Sequence, residues 1–278
     1  MGFFDRLNER IRTQGSFLCV GLDPDPRQVP KRFAGEADPI WTWNRGVIEA
    51  TADLVCAFKP NYAFYEAQGL AGLDALKRTI ACAHDHGVPV ILDAKRGDIA
   101  HSSDAYARAA FDVWGADAVT VSPYLGRDSV QAFSRYVERG VYVLCHTSNP
   151  GAADLQQRSV GGRPVYETVA ELVRQWNEHG NLGLVVGATY PQAVRAVRSV
   201  APELPFLVPG VGSQGGDLEQ AVAAGLDASG GGLVVNASRA VMAAEDPRGA
   251  AETLRAALAS ARDVALAKAG TAGGTHDD

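Results

Sequence analysis

The chain has 278 residues, 46% of them hydrophobic and 21% charged, and a formal net charge of −6. This is the composition of a globular protein with length enough for a large core, and its acidic balance argues against a nucleic-acid-binding face, which must be basic. No apolar run approaches the roughly 20 residues of a membrane span. The opening Met1-Gly2-Phe3-Phe4-Asp5-Arg6 brings charges too early for a secretory signal, and Arg6 stands where a myristoylation signal needs Ser or Thr. A cytoplasmic protein without membrane or nucleic-acid partners is expected. The four cysteines, Cys19, Cys56, Cys82 and Cys145, lack C-x-x-C spacing and read as buried free thiols.

Residues 3–14 place Phe3, Phe4, Leu7 and Ile11 at helical spacing before Gly15, which predicts a helix covering one end of the fold. Strand one follows over 17–23 and ends on Asp23, and a Pro-rich loop leads to a helix over 40–54. Strand two, 55–60, carries Lys59 near its end, and its helix spans 70–86. The third apolar run, Val88-Pro89-Val90-Ile91-Leu92, leads into Asp93-Ala94-Lys95-Arg96-Gly97-Asp98-Ile99. Asp93 and Lys95 are two residues apart and should share a face, Arg96-Gly97 should turn the chain, and a helix over 102–114 follows.

Strand four, 118–123, is succeeded by a helix over 128–139. Strand five, 141–148, runs into a polar, Gly-containing loop to about Arg163 and a helix over 164–179. Strand six covers 182–188, and Pro191 suits the first turn of the next helix. Strand seven, 205–209, passes into a Gly-rich loop over 210–217 and a helix ending near Gly225; strand eight, 231–236, precedes Arg239. A final helix is expected over 248–268 and a disordered tail over 270–278.

Eight successive strand-helix units predict a single (β/α)8 TIM barrel over 1–269 with an extra N-terminal helix, and no linker composition marks a second domain. A doubly wound open sheet would normally carry a Gly-rich dinucleotide loop after strand one, where Gly21-Leu22-Asp23-Pro24 stands instead. In a barrel the strand ends share one catalytic face, which gathers Asp23, Lys59, Asp93, Lys95, Ser122, Ser148, Gln214 and Arg239. Each alone has an ordinary structural explanation, such as a cap, a turn or a surface lysine. Together they point to a site.

The loops after strands seven and eight often bind phosphate in barrels, so Pro209-Gly210-Val211-Gly212 and Arg239 suggest a phosphorylated small-molecule substrate. His84-Asp85-His86 lies at a helix end away from the strand tips and reads as surface. His146, on a strand, reads as core. No metal site is expected.

The strand-three motif Asp93-Ala94-Lys95-Arg96-Gly97-Asp98-Ile99 resembles the D-x-K-x-x-D signature of the orotidine 5'-phosphate decarboxylases, and Phe58-Lys59-Pro60-Asn61 resembles their strand-two lysine motif. Gly21-Leu22-Asp23, Ser148-Asn149-Pro150-Gly151-Ala152, Pro209-Gly210-Val211-Gly212 with Gln214, and Arg239 are similar to their other site positions, in order; the long loop over 149–163 fits the longer bacterial branch.

The resemblance implies decarboxylation of orotidine 5'-monophosphate to uridine 5'-monophosphate in pyrimidine synthesis, without metal or organic cofactor. It implies that Lys95 protonates C6, Asp93 sits against the departing carboxylate, and Lys59 and Asp98 complete a charge array. It further implies Asp23 and Lys59 at the ribose, Ser148 and Gln214 at the pyrimidine, Gln214 and Arg239 at the phosphate, and a homodimer in which Asp98 and Ile99 enter the partner's site. The rival readings are a Mg-dependent sugar-phosphate decarboxylase of the same superfamily and a non-catalytic phosphate-ligand binder. The first holds its metal partly with a glutamate where Lys59 stands.

Overall fold

Runs such as Leu182–Val186 and Phe206–Pro209 are apolar on both faces, so they are stable only where both faces are covered, as in a parallel sheet wrapped by helices. The computed structural model describes residues 1–210 and 215–272 and shows that arrangement. Eight strands form one parallel sheet: Leu18–Leu22, Ala57–Pro60, Ile91–Arg96, Ala118–Val121, Gly140–His146, Leu182–Val186, Phe206–Pro209 and Leu233–Ala237. The first strand pairs with both the second and the eighth, with Gly21 opposite Lys59 and Leu18 opposite Val235. The seam between the second and third strands is held by the bridges Phe58↔Val90 and Asn61↔Asp93 and by the Phe58 N–H donating to Pro89 O at 3.0 Å. The sheet is thus a nearly closed barrel.

The expected N-terminal helix, Phe3–Gln14, ends at Gly15, whose left-handed backbone (φ +58°) lets its N–H reach Ile11 O. It plugs the N-terminal mouth of the barrel. Phe3, Phe4 and Leu7 are buried against inward-facing residues of all eight strands, including Cys19, Ala57, Ile91, Ala118, Tyr142, Val185, Leu207 and Val234. Phe3 and Phe4 meet the Tyr142 ring edge-on at 6.4 and 5.4 Å. Gly140 makes room, because a Cβ there would lie 2.2 Å from Phe3 Cδ1.

All four cysteines are buried and free, and burial pushes the Cys56 thiol up to about 12. They are inert packing groups. His84 accordingly lies at the plugged end, with Nε2 2.8 Å from Asp117 Oδ2. His146 is in the core between the Tyr166 and Tyr190 rings, although its Nδ1 has no partner among the described residues.

Several boundaries differ from the sequence reading. The third strand begins later than its apolar run, at Ile91, and continues through the charges to Arg96. The helix expected over 102–114 is an α-helix, Ala100–Arg108, continued by a π-helical turn, Ala109–Val113, whose extra residue swings Phe111 inward onto Phe133 and Tyr136. The helix after strand four is shorter, Arg127–Ser134.

The stretch over 149–163 is also more regular than a loop. It holds a short helix, Ala152–Leu155, and a hairpin of Ser159–Val160 with Arg163–Pro164, turned by Gly161 and Gly162 at φ +61° and +86°. The last helix, Pro247–Ala272, runs past the expected start of the tail, and residues 273–278 lie outside the described residues. Among the described residues no helix is long and apolar enough to cross a membrane.

Because Phe3 is almost wholly buried at the barrel mouth, its truncation leaves a cavity that the eight-strand frame cannot collapse to fill. Phe3→Ala is expected to lower unfolding free energy by about 3–5 kcal/mol. Urea denaturation followed by circular dichroism measures it.

Candidate active site

The open, C-terminal mouth of the barrel is polar. At its centre is Asp93, 9% exposed, with both carboxylate oxygens engaged. Lys59, buried at the end of strand two, donates to Oδ2 at 3.0 Å, while Lys95 donates to Oδ1 at 2.7 Å and Thr120 from strand four donates to Oδ1 at 2.9 Å. Three strands therefore deliver hydrogen-bond donors to one anion. Lys59 has nowhere else to go: its side chain is 4% exposed, whereas that of Lys95 is 48% exposed.

Burial is the largest single influence on both members of the Lys59–Asp93 pair, and it opposes their charges. For Asp93 it is outweighed by the two lysines, which hold the carboxyl well below the usual carboxylate range. For Lys59 it is outweighed by Asp93, then Asp23, and the ammonium is pushed above its ordinary value. Both groups stay ionised across the neutral range.

Lys95 and Asp93 meet as expected, but not by simple strand alternation. The ladder to strand four shifts between Leu92 and Arg96, and Lys95 takes a left-handed backbone at φ +46°, a conformation costing roughly 1–2 kcal/mol in an L-residue. The Lys95 N–H leaves the ladder for Thr120 Oγ1 at 2.9 Å. The bulge turns the Lys95 side chain back toward a residue only two positions upstream.

Asp23 arrives on the same rim. Its N–H reaches Met242 Sδ at 3.0 Å, and its Oδ1 is buried without a partner among the described residues. The preceding carbonyl, Leu22 O, accepts from Tyr65 Oη at 3.0 Å, and Tyr65 is itself held by Asn44 Nδ2 at 2.9 Å. Ser148 packs on Gly187, where a Cβ would lie 3.0 Å from Ser148 N, and faces Gly210, where a Cβ would lie 3.7 Å from Ser148 Oγ. The ends of strands five, six and seven thus converge at Ser148. Pro209, the last residue of strand seven, accepts from the Ala188 N–H at 3.0 Å.

Arg239 opens the short helix Arg239–Met242 and is exposed, with no carboxylate in ion-pair range among the described residues. Gln214 lies outside the described residues. Asp98 does not join the cluster within the protomer: its Oδ1 accepts from the Ile99 N–H at 2.8 Å, and Ile99 is 56% exposed.

The residue profile of the Orotidine 5'-phosphate decarboxylase / HUMPS family matches residues 16–254. The chain belongs to this family. It is 49% identical to the orotidine 5'-phosphate decarboxylase of Azoarcus sp. (strain BH72) over 267 residues, 95% of this chain and 98% of that one. It is 50% identical to that of Thermomicrobium roseum over 267 residues, 95% of each chain. Among solved structures it resembles the OMP decarboxylase of Leishmania donovani, with a TM-score of 0.85 and 46% identity over 95% of this chain and 99% of that one. The family resemblance read from the strand-three motif is therefore borne out along nearly the whole chain.

Three contributors to this family member's site were not read from its sequence. Thr120 is a lone polar residue in the buried strand Ala118–Val121, and that irregularity was its available signal. Met242 and the Tyr65–Asn44 pair act on Asp23 from distant helices and carry no local signature.

The shifts fix a pH dependence. Asp93 has a depressed folded pKa, so its stabilising contribution is present above about pH 4 and is lost as pH falls toward the folded value. Lys59 has a raised folded pKa, so its contribution is present below about pH 10 and is lost as pH rises through the folded value. Asp93→Asn is expected to make the acid-side fall in unfolding free energy, measured with urea between about pH 4 and pH 2, shallower than in the wild type.

Proposed function

We propose that this chain is an orotidine 5'-monophosphate decarboxylase, a cofactor-independent carboxy-lyase that forms uridine 5'-monophosphate in pyrimidine synthesis. The observation that carries the reading is the buried Asp93 carboxylate fixed between the Lys59 and Lys95 ammonium groups on the open barrel face. Family membership supplies the substrate class.

In this reading the substrate carboxylate lies against Asp93 and C6 lies against Lys95 Nζ. The bond between C6 and the carboxylate breaks, the electron pair stays on C6, and neutral carbon dioxide leaves. Lys95 then gives a proton to C6 and recovers one from water. Asp93, tied to two cations, cannot relieve its repulsion of the substrate by taking up a proton, whereas the Lys95 ammonium gains attraction as the carbanion develops. Unit charges 4 Å apart interact by roughly 4 kcal/mol at an effective dielectric of 20, so fixed charges of this kind can change a barrier substantially.

Remote contacts supply the binding energy that holds the two carboxylates together. Asp23, whose Oδ1 has no partner among the described residues, and Lys59 take the ribose; Ser148 and Gln214 take the pyrimidine; Gln214 and Arg239, with the backbone after Pro209, take the phosphate. Lys59 also argues against the metal-dependent alternative, because a buried ammonium at the end of strand two repels a divalent cation.

Asp98 and the exposed Ile99 complete the site of a second copy, making the active unit a homodimer. The support is that the array within one protomer lacks its fourth charge while Ile99 presents an apolar side chain to solvent.

Purified protein is expected to deplete orotidine monophosphate absorbance equally well in chelator; no turnover, or turnover abolished by chelator, overturns the reading. Lys95→Ala is expected to lower kcat by about 10³-fold or more. Mixing inactive Lys95→Ala and Asp98→Ala proteins with subunit exchange should restore about a quarter of wild-type activity, since each mixed dimer has one site with both native residues. No recovery after verified exchange removes the shared-site claim.

A further inference from the structure

The third strand carries a strained residue at the point where the chemistry needs accuracy. Lys95 is left-handed, and lysine lacks the short polar side chain that bonds the adjacent backbone in Asn or Asp; its ammonium reaches Asp93 instead. Something outside the residue must hold it. On the incoming side the Lys95 N–H is pinned to Thr120 Oγ1. On the outgoing side the next residue, Arg96, is fixed twice: its carbonyl accepts the Ser122 N–H at 2.7 Å, and its guanidinium lies 4.5 Å from the Tyr62 ring centre and 4.7 Å from that of Tyr106.

The two rings come from different places. Tyr62 belongs to the short helix Tyr62–Glu66 after strand two, where it is backed by Trp114 at 6.1 Å, and Tyr106 belongs to Ala100–Arg108 after strand three. No carboxylate lies within ion-pair range of Arg96 among the described residues, so the two tyrosines are its side-chain anchors. The chain beyond has little slack, since a Cβ at Gly97 would stand 3.2 Å from Ser122 Cβ.

We propose that Arg96 is a positioning residue: its guanidinium, clamped between Tyr62 and Tyr106, locks the left-handed turn that aims the Lys95 ammonium at the reacting carbon. The inference rests on the decarboxylase reading for its kinetic consequence, but the clamp itself does not. A planar, delocalised cation can stack on two rings at once, whereas a lysine ammonium has no plane to stack. Without the clamp, the turn relaxes toward commoner backbone angles and the ammonium drifts from Asp93. A misplacement of about 1 Å in a reacting group is enough to cost about 10²-fold in rate.

Four variants test this: Arg96→Met, which keeps the stem and removes the cation; the double change Tyr62→Leu with Tyr106→Leu; and the single changes Tyr62→Phe and Tyr106→Phe. Arg96→Met and the double leucine variant are expected to lose about 10- to 100-fold in kcat. Affinity for uridine monophosphate, measured by calorimetry, and thermal midpoint should stay close to wild type. Each phenylalanine variant keeps its ring and should remain within about twofold of wild-type kcat.

Without substrate, the ε-15N resonance of Lys95 in lysine-labelled protein should move in the first two variants and stay in place in the phenylalanine pair. An unmoved Lys95 resonance and unchanged kcat in Arg96→Met overturn the proposal, as does a loss that tracks thermal midpoint or product affinity. A wild-type protein without turnover overturns the decarboxylase reading alone, and the Lys95 resonance still decides the clamp.

Discussion

One buried carboxylate governs the open end of this barrel. Asp93 is out of water, and an ion in that position is tolerated only when its charge and lone pairs are met by partners. Lys59, Lys95 and Thr120 meet them from three adjacent strands. The partners also have a mechanical role. Strands two and three are joined only by isolated bridges, and the Lys59–Asp93 ion pair spans that seam at 3.0 Å. The charge array therefore also ties the seam of the barrel.

The two mouths divide the work of the fold. At the N-terminal mouth, aromatic rings fill the barrel and exclude water. At the other, strand ends stop short and present Asp23, Lys59, Asp93, Lys95 and Ser148 to a common space. Helices stand behind the polar rim to hold it: Asn44 and Tyr65 secure the carbonyl before Asp23, while Met242 takes its N–H. The reactive groups are placed by a rigid frame, which is where preorganised charge is most effective.

Much of this was legible in the sequence because the frame has a simple period. Short apolar runs alternating with helical patterns gave the barrel, and Lys59, Asp93 and Lys95 stood at run ends, where the fold brings strand termini together. What escaped was set by tertiary contacts. Propensity would not put lysine in a left-handed turn; Thr120 and the bulge beside it do. The π-helical turn at Ala109–Val113 follows from packing Phe111 rather than from any local preference. The hairpin over 159–164 had its Gly161-Gly162 signal in plain view, but flanking strands of two residues are too short to show alternation. Asp98, which the family resemblance assigns to a partner's site, stands apart from the Asp93 cluster within the protomer.

The aromatic plug also constrains how the chain can be made. Phe3, Phe4 and Leu7 are made before any of the strands, but the surface that receives them is assembled from all eight and includes Tyr142, Leu207 and Val234. Until the eighth strand has been synthesised, the segment has no complete seat and carries three large apolar side chains without cover. The first helix in the sequence thus makes contacts of long sequence separation, which form slowly and leave a newly made chain open to association with its neighbours. Vectorial synthesis and the finished architecture run in opposite directions here, because the complete seat for residues 3–14 exists only once all eight strands are present.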